Sequence, residues 1–145
     1  MNGIPKNHAH EHGHHHEHAR RRSINLGWVN IELESHMHDQ ASTVSATLCA
    51  QADSGRTFEA LVGALQTVAH ASELAGGIVG HIKGYARAGE SFVHASVTDA
   101  QHAPVCEGDA QLPLNLDTQI QLAAIVLLID QSELECIVVK ALEAL

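Results

Sequence analysis

The sequence predicts an α+β domain: an antiparallel or mixed sheet of about five strands with two helices on one face. Three observations carry that expectation: segments that alternate apolar and polar residues with period two, two stretches with amphipathic-helix spacing, and turn residues between them. The predicted element order is β-β-α-β-β-β-α.

Ile24, Leu26 and Trp28 alternate with their neighbours, and Val29, Ile31 and Leu33 continue on the opposite phase. A β-bulge at Trp28-Val29 would explain the slip. Val44, Ala46, Leu48 and Ala50 alternate against Thr43, Ser45, Thr47 and Cys49, giving a second half-buried strand, and the short polar stretch 35–40 links the two. Asp53-Ser54-Gly55 supplies turn chemistry and an N-cap for a helix over 56–74, where Phe58, Leu61, Val62, Leu65, Val68 and Ala69 share one stripe. Gly76-Gly77 ends that helix.

Residues 78–85 and 91–98 read as two strands around a hairpin. Extending the helix through Ile82 instead would have to absorb Gly80 and Gly84, at about 1 kcal/mol each against alanine. Residues 99–116, with two prolines and few apolar groups, read as loop. Residues 120–129 are apolar almost throughout and fit a central strand covered on both faces or buried in an interface. Ser132 and Glu135 have capping-box spacing and open a terminal helix carrying Leu134, Ile137, Val138, Ala141, Leu142 and Leu145.

The chain has 145 residues and a formal charge of −9, which bounds it to a single domain. Its longest apolar run, 122–129, is far short of the roughly 20 residues of a spanning helix. No membrane association is expected. Arg20-Arg21-Arg22-Ser23 resembles a twin-arginine signal only briefly, since no apolar region follows, and a cytoplasmic location is expected. Cys49, Cys106 and Cys136 fit no disulfide framework or metal motif and read as buried, reduced thiols. Residues 1–22 carry a net charge of +2 and almost nothing apolar, which predicts a disordered tail. Residues 23–145 form the predicted domain and carry −11, a balance that argues against nucleic-acid binding.

Histidine is the compositional outlier, at 13 residues, seven of them within 8–18. His8, His10, His12, His14, His16 and His18 fall at every second position, with His15 between them. In an extended chain those six imidazoles share one side, about 7 Å apart. In a helix, His8, His12 and His16 make one i,i+4 set and His10, His14 and His18 another. Either way neighbouring imidazoles can converge on one divalent transition metal, with nickel, zinc and cobalt the expected ions and little selectivity among them. Because imidazole must be neutral to coordinate, binding should weaken as pH falls through about 6.5. The alternatives are an idle solvated linker or a cloning tag. The tract resembles those of nickel-handling accessory proteins in hydrogenase and urease maturation. That resemblance covers residues 8–18, implies metal buffering, storage or delivery, and implies a metalloenzyme or its maturation protein as partner. The G-x-x-x-x-G-K-[ST] of that group's GTPases is missing from the sequence.

Two further constellations stand in the body. His36 and His38, next to Asp39, are spaced to share an ion but fall short of a full ligand set. His81 and Lys83 share a strand face between two glycines that suit a bulge. With His94 across from His81, they would form a site for an anionic ligand or for acid–base chemistry. His70 reads as a helix-surface residue, and the closest Cys–His pair, Cys106 and His102, lies in the loop around Pro104. With no G-x-S-x-G, catalysis is not the expected role. A homo-oligomer is expected, assembled through the apolar strand at 120–129.

Overall fold

The computed structural model describes residues 19–145. The class is α+β as predicted, but the sheet has seven strands. They are β1 (Arg20–Asn25), β2 (Val29–His38), β3 (Ala41–Ala50), β4 (Ile78–Ala88), β5 (Ser91–Val97), β6 (Val105–Gly108) and β7 (Gln119–Leu127). Helix α1 (Phe58–Leu74) follows β3, and α2 (Gln131–Glu143) follows β7. All neighbouring strands are antiparallel, in the order β1-β2-β3-β7-β4-β5-β6. Among the described residues, no helix is long and apolar enough to cross a membrane.

Both helices lie on one face, α1 against β4 and β5 and α2 against β2 and β3, and they also pack on each other. The α1 stripe of Phe58, Leu61, Leu65 and Val68 is fully buried there, each side chain contributing up to about 1.5–3 kcal/mol of burial. It belongs to one core cluster with Ile31, Leu33, Val44, Leu48, Ile82, Ile120 and Val126 of the sheet. Among the described residues, no helix packs on the opposite face of the sheet. Its residues occupy the other phase of every strand, which makes it the natural place for function.

Several expectations are corrected by local backbone chemistry. The slip at Trp28-Val29 is a hairpin turn rather than a bulge: Gly27 takes φ +87°, its N–H donates to the Asn25 side chain, and Leu26 N–H donates to the Val29 carbonyl. One predicted strand thus becomes two. The polar link at 35–40 contracts to Asp39 and Gln40, Asp39 taking φ +51°, so His36 and His38 stand on β2 itself. The 99–116 loop contains β6, four exposed residues paired to β5. The capping residues are Thr57 for α1 and Asp130 for α2, where the Asp130 side chain accepts from Ser132 N–H. The predicted bulge beside Gly80 is present, between Val79 and His81.

Strand β7 is central as predicted, flanked by β3 and β4, so neither of its edges is open to another chain. Among the described residues it is covered on one face only, which leaves Ile125 and Leu127 exposed on the other.

The first strand begins at Arg20, ahead of the boundary read at Ser23. Arg20 and Arg22 turn toward α2, where the carboxylate of Glu135 is only 1% exposed. Arg22 Nη1 donates to Glu135 Oε2 at 3.2 Å, Arg20 Nε lies 3.8 Å from Oε1, and Arg20 Nη1 donates to Ser132 Oγ at 2.7 Å. Ser35 Oγ also donates to Glu135, and Gln131 Nε2 donates to Ser35 Oγ at 2.8 Å. A buried carboxylate is tolerable only when compensated in this way. The clasp fixes the base of the N-terminal segment against the fold.

Candidate functional site

Strand register places the uncovered face in rows. One row runs Arg21, Glu34, Ser45, Ala123, Lys83, Ser96, each directly opposite the next. The adjacent row runs Ser23, Glu32, Thr47, Gln121, Tyr85, His94, Glu107. In the first row two small residues, Ser45 and Ala123, sit between the long side chains of Glu34 and Lys83. A cleft of about 450 Å³ opens there. Glu32 and Glu34 line its β2 side, Lys83 and Tyr85 its β4 side, and Thr47 and Gln121 flank the floor.

The three body residues proposed as one site, His81, Lys83 and His94, do not converge. His94 pairs with Tyr85, not His81, and its Nε2 lies 3.1 Å from Glu107 Oε2. Of the three only Lys83 lines the cleft. His81 lies toward the bulge, where its Nε2 is buried without a hydrogen-bond partner among the described residues. Burial, and secondarily the Lys83 charge, push the His81 pKa below its ordinary 6.5.

A depressed histidine pKa favours the neutral form in the fold. Its contribution to stability is therefore present above about pH 6.5 and is lost as pH falls toward the folded-state value. NMR titration of the imidazole should give a His81 midpoint below 6.5. The Lys83→Met variant should move that midpoint up without restoring it fully, because burial is the larger cause; an unchanged midpoint would remove Lys83 from this explanation.

His36 and His38 project from the same open face near the end of β2, His36 half-buried and His38 exposed, with His38 Nε2 3.5 Å from Asp39 Oδ2. Among the described residues no group of three or more His, Cys, Asp or Glu is placed to hold a metal ion. The seven tract histidines, His8 to His18, lie outside the described residues. His70 is exposed on α1. His102 is exposed beside Asp99, Nδ1 to Oδ2 2.7 Å, a hydrogen bond that holds the Asp99 carboxyl below its usual range.

The cysteines correct another expectation. All three are exposed: Cys49 takes the open-face phase of β3, Cys106 sits on the edge strand β6, and Cys136 lies outside the buried stripe of α2. Sequence reasoning missed the cleft and the roles there of Tyr85, Gln121, Glu32 and Glu34. Its one sequence signal is that Ser45 and Ala123 are small on the phase opposite the core. Comparison with protein families, curated proteins and solved structures finds no match for this chain.

Proposed function

We propose that this protein collects divalent transition-metal ions, nickel, zinc or cobalt, for buffering or delivery in the cytoplasm. The ligands are the histidines of residues 8–18 working with His36 and His38. The observation that supports this reading is where the tract joins the fold. Arg20 stands opposite Ser35, and His36 and His38 follow Ser35 on the same strand. Because β1 and β2 are antiparallel, the start of β1 lies beside the end of β2 that carries these two histidines. His18 is two residues before Arg20, a chain reach of at most about 7 Å.

Two imidazoles from the body and two from the tract would complete the four-coordinate set that zinc prefers. Further tract histidines supply additional, weaker sites. Arg20 and Arg22, held by Glu135, keep this junction in place. The body's net charge of −11 raises the local cation concentration around it. The absence of thiolates from the tract leaves binding dependent on neutral imidazole, and so on pH.

Calorimetric titration of the full chain with Ni(II) and Zn(II), together with elemental analysis of untagged protein, tests the proposal. More than one ion per chain at neutral pH, falling away by about pH 5.5 as imidazoles protonate, is the expected result. A chain that binds neither ion would refute it.

A further inference from the structure

The metal reading leaves the open-face cleft unused. Four features there point to a ligand. Its volume, about 450 Å³, falls within the range of small-molecule sites. The Lys83 ammonium has no ion-pair partner among the described residues, because its neighbours across β7 and β5 are Ala123 and Ser96, too short and uncharged to meet it. On the opposite side, Glu32 accepts from Ser23 Oγ at 2.7 Å and forms no ion pair among the described residues, whereas Glu34 is already paired with Arg21, which also lines the cleft, at 3.1 Å. Between these two charges, Thr47, Gln121 and Tyr85 make no side-chain hydrogen bond among the described residues, so their donors and acceptors are available to an occupant.

We infer that the cleft binds a small zwitterion, its anionic end on Lys83 and Tyr85 and its cationic end on Glu32. Strands β2 and β4 are three strand spacings apart, about 14 Å. The reach of the Lys83 and Glu32 side chains, both of which line the cleft, can shorten that span to the length of a short peptide with free termini. A neutral ligand would leave both charges unmatched, and a simple anion would face Glu32. The site is separate from the metal ligands, since neither His36 nor His38 lines it.

The test is a calorimetric titration of the metal-free full chain with trialanine carrying free termini and with its N-acetylated, C-amidated form. The free-ended peptide should bind and the capped one should not. Lys83→Gln and Glu32→Gln should each weaken binding by about tenfold, the loss of one exposed charge contact, while Lys140→Gln on α2 leaves it unchanged. Circular dichroism on each variant checks that the fold is intact. Equal binding of capped and free peptide, no binding of either, or unaltered affinity in Lys83→Gln would overturn the inference. So would light scattering showing that the cleft is covered by a second copy of the chain and that Lys83→Gln separates the two.

Discussion

Alanine in place of all seven histidines of residues 8–18 should lower the affinity of the full chain for Ni(II) and Zn(II) by on the order of 100-fold, with the stoichiometry falling at the same time. Linked ligands gain avidity from effective concentration, commonly a factor of 10²–10⁴. With the tract neutralised, the body offers His36 and His38 near Asp39, and the described residues contain no group of three or more ligands placed for an ion. Two imidazoles alone hold a divalent ion weakly. The fold of residues 19–145 should be untouched, since the strands and core described above are built from residues 20–145. Calorimetry reads the affinity and circular dichroism confirms the fold. Unchanged stoichiometry would assign binding to the body and remove the tract from the function.

The second large effect is on stability. Phe58→Ala should cost about 3–5 kcal/mol. Phe58 heads the fully buried side chains by volume and sits in the first turn of α1, where its N–H donates to the Leu112 carbonyl at 2.9 Å. The backbone of Phe58 thus ties α1 to the loop that precedes β7, and its ring belongs to the core cluster that α1 shares with the sheet. Truncation leaves a cavity among Leu61, Leu65 and the other core residues, which a seven-stranded sheet cannot collapse to fill. Against a total stability of about 5–15 kcal/mol, the melting temperature should fall by about 10 °C or more. Thermal unfolding followed by circular dichroism measures it, and a shift of a degree or two would show that α1 is not a principal support of the sheet.

Much of this architecture is legible in the sequence wherever one face of an element is buried. The α1 stripe from Phe58 to Ala69, the stop at Gly76-Gly77, the β4–β5 hairpin and the apolar β7 all follow from period and turn chemistry. What escapes is decided by single residues or by pairing at a distance. Gly27 alone converts one apparent strand into β1 and β2, through a left-handed turn that reads equally well as a bulge. Strand β6 has no apolar alternation and exists through its pairing with β5. At α2 the capping-box spacing of Ser132 and Glu135 is misleading, because Glu135 turns inward to Arg22 and Ser35 while Asp130 takes the cap.

The site follows the same division. The phase of each strand puts His36, His38, His81, Lys83 and His94 on one face, but not which of them meet. Register sets that, and the β4–β5 turn sends His94 to Tyr85. The cleft is a property of four strands, β2, β3, β7 and β4, of which β7 arrives last in the chain and inserts at the centre. Local pattern contains no record of that insertion. Because they are charged, the arginines at 20–22 look in the sequence like part of a tail, yet pairing with β2 and the buried Glu135 makes Arg20 and Arg22 structural.

Zn(II) titration of the full chain followed by NMR of the histidine imidazoles tests most directly whether tract and body share metal. The His36 and His38 signals should shift together with those of residues 8–18 at less than one equivalent, while His70, exposed on α1, stays in place. If His36 and His38 remain as still as His70 while the tract responds, the body takes no part in binding and the proposed shared site is wrong.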